Sequence, residues 1–387
     1  MVFQSDTHNP ISWVFFAANA KPTSMRRALA ERLDDRESVV IVDQPVSLLR
    51  DMKLPALAKR CERLSWANEA CQYRPIYFPA RLPGAGKILK HLNQHLLGRE
   101  LNLLLQKEGG RIVCYDSPTQ DQLVGKLGED LSVYVAIDDK TLTVRGEPIQ
   151  GEVEAEKRLL SRVDKVICVS ERLAEVLRSR VPCGRNLPIF VLPNGFDERI
   201  FDPEKNYPEP SDLAYIPKPR ILVAGHISER IDWEGIRGAV KSRPDWTWVF
   251  VGPADAGMVE RINTIGGSTF YHPPVPVEEV PAWIRYCDAC AVPYRLNPFT
   301  RVSSPLKAIE YLAMGTPVLS TQIPALQPYG NVIYWVDESC GNSYALGLDK
   351  ALSEKTDSAR RQARYIAVHN DSWARKAETF KALVLNA

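Results

Sequence analysis

The chain has no run of about 18 consecutive apolar residues, so no segment is expected to cross a bilayer as a helix. It has almost no excess charge: 49 Lys and Arg stand against 47 Asp and Glu, a net of +2. Proteins that bind nucleic-acid phosphates usually carry a much larger basic surplus, so no nucleic-acid partner is expected. Metal-ligand patterns are missing too. Cys287 and Cys290 have no second pair, and His91 and His95 lack an adjoining Glu or a third ligand, so no metal is expected. The turn Pro83-Gly84-Ala85-Gly86 lacks the third glycine and the preceding strand of a dinucleotide fingerprint, and no cofactor is expected. Asp6 and Asn9 precede the short apolar run at 11–20 without the basic start of a secretory signal, which points to a cytoplasmic chain.

What is present is an ordinary globular composition. The 387 residues are 45% hydrophobic and 25% charged, enough for two or three cores. Several of the eight cysteines lie in apolar runs such as Ile112-Val113-Cys114 and Ile167-Cys168-Val169, and read as buried thiols in a reducing compartment. Charge is uneven: residues 53–111 carry eleven Lys and Arg against four Asp and Glu. Leu92, Leu96, Leu97, Leu101, Leu104 and Leu105 give that stretch an amphipathic helix, flanked by Lys87, Lys90, Arg99 and Lys107. Such a surface suits peripheral contact with anionic lipid at the inner face of the membrane, or else the leucines pack into a domain core.

Short β-branched runs alternate with longer amphipathic ones, the pattern of βα units in parallel sheets, so the fold class is α/β. In the first half, strands are predicted at 13–17, 39–42, 111–114, 133–137, 165–169 and 189–192. In the second they fall at 221–224, 248–251, 269–271, 289–293, 317–320 and 332–336. The Pro-punctuated, aperiodic stretch 196–219 reads as a linker, giving domains at 1–195 and 220–365 and a terminal helical segment at 366–387.

Doubly wound sheets bind ligands at the carboxyl ends of their strands, so the loops there come first. In the segment from Asn297 to Pro317, Ser303 or Ser304 is a candidate N-cap and Pro305 suits the first helical position. The free amides of the helix end that Ser304, Pro305 and Leu306 form would then face an anion. Lys307 opposes the helix dipole in that first turn, and a diphosphate would account for it. Glu310 lies on nearly the same face, placed for sugar hydroxyls or for a simple i, i+3 pair with Lys307. Gly225, directly after a strand, permits close backbone approach, and Arg230 in the same loop could neutralise phosphate; Arg295 is a further phosphate candidate. Asp138 and Asp139 end another strand as adjacent carboxylates whose mutual repulsion would raise a pKa for general-base work, Asp138 being the first choice.

The run Ser304-Pro305-Leu306-Lys307-x-x-Glu310-Tyr311-Leu312-Ala313-x-Gly315-x-Pro317-Val318 resembles the nucleotide-sugar motif of GT-B-fold glycosyltransferases, close to glycosyltransferase family four. Ala289 to Tyr294, Val169-Ser170-Glu171 and Leu192-Pro193-Asn194-Gly195-Phe196-Asp197 resemble neighbouring segments of that family. The resemblance implies two Rossmann-like doubly wound domains facing across a cleft. It implies a nucleotide-sugar donor held by Lys307 and Glu310, and a saccharide or lipid-linked acceptor in the first domain. It also implies that the last helix returns to that domain. The family pattern has a glutamate eight positions before Glu310, where this chain has Val302. The absence of any Asp-x-Asp suits metal-independent chemistry of this fold. A nucleotide-sugar 2-epimerase of the same fold and a non-catalytic nucleotide-sugar-binding protein are the alternative readings.

Overall fold

A computed structural model describes residues 11–17, 24–33, 37–43, 46–47, 61–63, 70–77, 86–105 and 109–386. The N-terminal half contains strands β1 (Ser12–Phe16), β2 (Ser38–Val42), β3 (Val46–Ser47), β4 (Cys61–Arg63), β5 (Ala70–Tyr73), β6 (Ile76–Tyr77), β7 (Arg111–Tyr115), β8 (Leu131–Ala136), β9 (Lys165–Cys168) and β10 (Ile189–Val191). Eight of them form one sheet in the order β10-β9-β8-β7-β1-β2-β5-β4, parallel except for the β4–β5 pair. Strands β1, β2 and β8 are apolar along almost their whole length and are buried throughout, as expected for a parallel sheet covered on both faces.

The second half builds β11 (Arg220–Ala224), β12 (Thr247–Val251), β13 (Ser268–His272), β14 (Ala289–Val292), β15 (Val318–Thr321) and β16 (Ile333–Val336). All are parallel, in the order β13-β12-β11-β14-β15-β16, the doubly wound arrangement whose order reverses between β11 and β14. Apolar clusters cover both faces. One is built around Tyr311, Leu312 and Trp283, the other around Trp233, Ile236 and Trp248.

The predicted strands are all present to within a residue or two. Sequence reading missed β3 to β6, because these are two to four residues long and Pro75 interrupts them. It also missed the helix Pro298–Val302, although Asn297 followed by Pro298 is a recognisable start: Asn297 and Thr300 cap each other reciprocally. The expected linker is no free tether. Phe196, Phe201, Tyr207 and Leu213 are buried against the second domain, because their aromatic and aliphatic surface gains more from that core than from water.

The helix Gly86–Leu104 turns Leu97, Leu101 and the following Leu105 into the first domain's core, while Leu92 and Leu103 are exposed. Leu97, Leu101 and Leu105 of the leucine stripe are thus used in packing, as the alternative expectation had it. Much of the basic 53–111 stretch, including Lys53 and the side chains of Lys87 and Lys90, lies outside the described residues. Among the described residues no helix is long and apolar enough to cross a membrane.

The final helix Trp373–Asn386 leaves the second domain and packs on the first. Phe380 is fully buried against Trp13 and Phe15, with ring centroids 5.9 and 6.0 Å away, and Lys165 Nζ donates to the Val384 carbonyl at 2.7 Å. Truncating Phe380 to alanine should cost about 3–5 kcal/mol, read as a lowered urea midpoint. An unchanged midpoint would mean that the helix does not hold the first domain.

Candidate active site

The carboxyl ends of the two sheets are brought together by a small set of contacts. Ser170, which caps helix Glu171–Arg180 by accepting from the Leu173 amide, donates its hydroxyl proton to the Val302 carbonyl at 2.6 Å. Asn194 Nδ2 donates to the Ser304 carbonyl at 2.7 Å, and Asn297 Nδ2 donates to the Val144 carbonyl at 3.0 Å. Val302 itself is buried in the first domain's core. The position where the family carries a glutamate is therefore an apolar interdomain plug and offers no side-chain acceptor to a sugar.

On the second domain, Gly225 follows β11 with φ of +115°, a conformation that favours glycine. A Cβ there would lie 3.6 Å from Lys307 Cγ and Cε, so the loop after β11 and the lysine pack side by side. The Arg295 amide donates to the Arg230 carbonyl at 2.8 Å, joining the loops after β11 and β14 at the point where the strand order reverses. Arg230 stacks over Tyr294, 4.9 Å from the ring centroid, and its buried Nε has no hydrogen-bond partner; neither has the Ser228 hydroxyl in the same loop. Buried donors without acceptors are costly, and here they sit where a doubly wound sheet receives its ligand.

The helix carrying Lys307 is Leu306–Ala313, with Pro305 at its cap position and no side-chain cap. The expected serine caps are thus corrected: Ser303 ends the preceding helix and donates to the Phe299 carbonyl, while Ser304 is tied through its carbonyl to Asn194. The first-turn amides of Leu306 and Lys307 are consequently left without a side-chain acceptor, although the Leu306 side chain packs towards the first domain. Lys307 Nζ lies 2.7 Å from Glu310 Oε2, so the i, i+3 pair forms. Burial pushes the Glu310 carboxyl upward in pKa, and Lys307 opposes that push. Tyr311, part of the quoted motif, accepts from the Ala224 amide at 2.8 Å through its hydroxyl and pins the helix to the end of β11. The Arg295 side chain is mostly exposed and lines a polar cavity of about 460 Å³ with Arg145, Glu229, Arg261 and Glu338.

The two first-domain aspartates have separated. Asp139 is buried, held bidentate by Arg180 at 3.0 and 3.1 Å and by the Thr141 hydroxyl at 2.6 Å. Burial alone would raise its pKa, but the Arg180 and Thr141 hydrogen bonds outweigh this and hold it below the usual carboxylate range. The premise of two mutually repelling acids is corrected: Arg180 neutralises one of them. Asp138 has the opposite environment. Burial raises its pKa against the lowering effects of the Lys140, Arg230 and Arg26 charges. Arg230 belongs to the second domain, so the cations that act on Asp138 come from both domains.

Breaking the Asp139–Arg180 pair as Asp139→Asn should cost about 3–5 kcal/mol at neutral pH, since it leaves Arg180 with one anionic partner fewer in a low-dielectric site. The sign follows from a folded-state pKa below the unfolded one. The stabilisation is present above the ordinary carboxylate range and is lost as pH falls through the lowered value. Wild type and variant should therefore converge in denaturant midpoint at acid pH; a constant gap from pH 7 to pH 3 would contradict the pair's role.

Two doubly wound sheets with facing carboxyl ends, and a lysine–glutamate helix at the second sheet's switch point, define the class: this chain has the GT-B fold. Residues 218–344 match the family described as Glycosyl transferases group 1. Among curated proteins, the chain is 26% identical over 227 residues to the putative teichuronic acid biosynthesis glycosyltransferase TuaH of Bacillus subtilis (strain 168). That match covers 57% of this chain and 56% of TuaH, so it spans little more than half of the relative. Sucrose-phosphate synthase from Thermosynechococcus elongatus shares the fold with a TM-score of 0.73 at 17% identity, covering 96% of this chain and 98% of that one. An E. coli structure described as trehalose-6-phosphate bound with UDP-2-fluoro glucose has a TM-score of 0.71 at 12% identity, covering 97% and 99%.

Proposed function

We propose that the chain transfers a sugar from a nucleotide-sugar donor, UDP-linked, to a hydroxyl of a saccharide or lipid-linked acceptor, without a metal ion. The donor diphosphate lies against Lys307, Arg230 and the amides of Leu306 and Lys307, which stabilise the charge of the departing nucleoside diphosphate. Glu310 takes the ribose hydroxyls. Asp138 accepts the proton of the acceptor hydroxyl as its oxygen bonds to the anomeric carbon and the bond from that carbon to the diphosphate breaks. The observation that carries this reading is that the loop after β8, which holds Asp138, is tied to the second domain by the Asn297–Val144 hydrogen bond, with the Ser170–Val302 and Asn194–Ser304 bonds joining the same two sheet edges. The UDP nucleotide is favoured by the E. coli structural neighbour described with UDP-2-fluoro glucose, and a cell-surface saccharide product by the TuaH similarity.

Thermal unfolding with UDP-, GDP- and dTDP-sugars tests the donor, because a ligand that binds the folded state raises its midpoint according to affinity and concentration. A rise with UDP-sugars is expected, and no rise with any of the three removes the donor assignment. Val302 in place of a carboxylate keeps the 2-epimerase alternative in play. Incubation with UDP-sugars and no acceptor separates the two: a new nucleotide-linked sugar in the NMR spectrum would replace transfer by epimerisation.

A further inference from the structure

The first sheet also has a switch point, between β1 and β7, from which the strand order runs outward in both directions. Arg26 stands beside it, in the first turn of helix Met25–Ala30. It is 5% exposed, and its Nη2 lies 3.2 Å from Oδ2 of Asp116, the residue after β7. Asp116 is itself fixed: its Oδ1 accepts from Gln120 Nε2 at 2.8 Å, and its amide donates to Gln120 Oε1 at 2.8 Å. The rest of the Arg26 guanidinium is unused. Both Nε and Nη1 are buried without a hydrogen-bond partner among the described residues. Leaving such donors unpaired carries a desolvation penalty that no contact within the fold offsets.

Asp116, which holds Arg26, follows β7, and Asp138 follows the neighbouring strand β8, so Arg26 and Asp138 lie on one carboxyl edge of the sheet; Lys140, two residues beyond Asp138, has no ion-pair partner among the described residues. With Arg230 assigned to the donor, the acceptor side of Asp138 keeps two cations, Arg26 and Lys140, against the single carboxylate that clamps Arg26. We propose that Arg26 forms an anion subsite for the acceptor, so that the acceptor is a saccharide carrying a phosphate or carboxylate group close to the hydroxyl that Asp138 deprotonates. A guanidinium suits either oxyanion, through charge-assisted hydrogen bonds that a neutral sugar cannot match. The inference rests on the acceptor lying in the first domain, as in the function proposed above.

The test is calorimetry on the full chain in the presence of UDP, comparing glucose 6-phosphate, glucuronate and glucose. At least one charged sugar should bind about tenfold or more tightly than glucose, the fold-change expected of a hydrogen bond to a charged group, and that preference should weaken with added salt. Whichever charged sugar binds better identifies the anion. Arg26→Gln should erase the preference and leave UDP affinity unchanged. Equal binding of all three sugars by the wild-type chain, or no binding of either charged sugar, overturns the subsite even if Arg26→Gln does not fold. A preference that survives in a folded Arg26→Gln also overturns it. UDP binding in every arm reports on the donor site separately, so failure of the subsite and failure of the proposed transfer are distinguishable.

Discussion

Lys307→Ala should lower donor affinity sharply and reduce turnover by about 10²–10³, the range seen when one preorganised donor to a developing anion is removed. The structure adds a second consequence. Glu310 is almost fully buried, and Lys307 is the cation that opposes the upward shift of its pKa. Without the lysine, the carboxyl should shift further upward. A group whose folded-state pKa is raised contributes stability that is present at low pH and lost as pH rises through the folded value. The variant's loss of thermal midpoint should therefore grow towards alkaline pH. Lys307→Arg keeps the charge and should recover part of both stability and donor binding. Nucleotide binding by calorimetry and transfer by product release are the two measurements; wild-type turnover in Lys307→Ala would remove the lysine from the reaction.

Asp138→Asn should reduce turnover by about 10²–10⁴ with much less effect on donor affinity, because a general base acts on the acceptor proton and not on the diphosphate. In the wild-type enzyme the base must be ionised, so the rate rises with pH through the pKa of Asp138. Burial lifts that value, and the Lys140, Arg230 and Arg26 charges hold it down. The acid limb of kcat/KM should consequently sit above the ordinary aspartate range, and Arg26→Gln should move it further up by removing one of the cations. An acid limb unaffected by Asp138→Asn would mean that another group carries the proton. Asp139→Asn provides the contrast: it should lose stability, and its acid limb should remain.

Parts of this site are legible in the chain by itself. Lys307 and Glu310 are three residues apart on one helix, and Gly225 follows an apolar strand directly, so local periodicity is enough to bring them forward. Asp138 and Asp139, by contrast, look equivalent. They part only because Arg180, on a helix forty residues further on, packs back against β8 and takes one of them. The caps at Ser303 and Ser304 failed for a related reason. Asn297-Pro298 opens its own turn of helix, which ends at Ser303, and Asn194 then draws the Ser304 carbonyl across from the other domain.

The order of apolar runs and turns determined the two α/β halves, the placement of most strands, and the lysine–glutamate helix. Each depends on contacts within a few residues or on a repeat that burial imposes on one segment. The tertiary structure alone decided which aspartate Arg180 takes, that Val302 packs into the first domain's core, and that two buried Arg26 donors have no partner among the described residues. Those outcomes are set by partners more than a hundred residues apart in some cases, and by the cost of burying charge, which the pairing of distant elements either offsets or leaves standing.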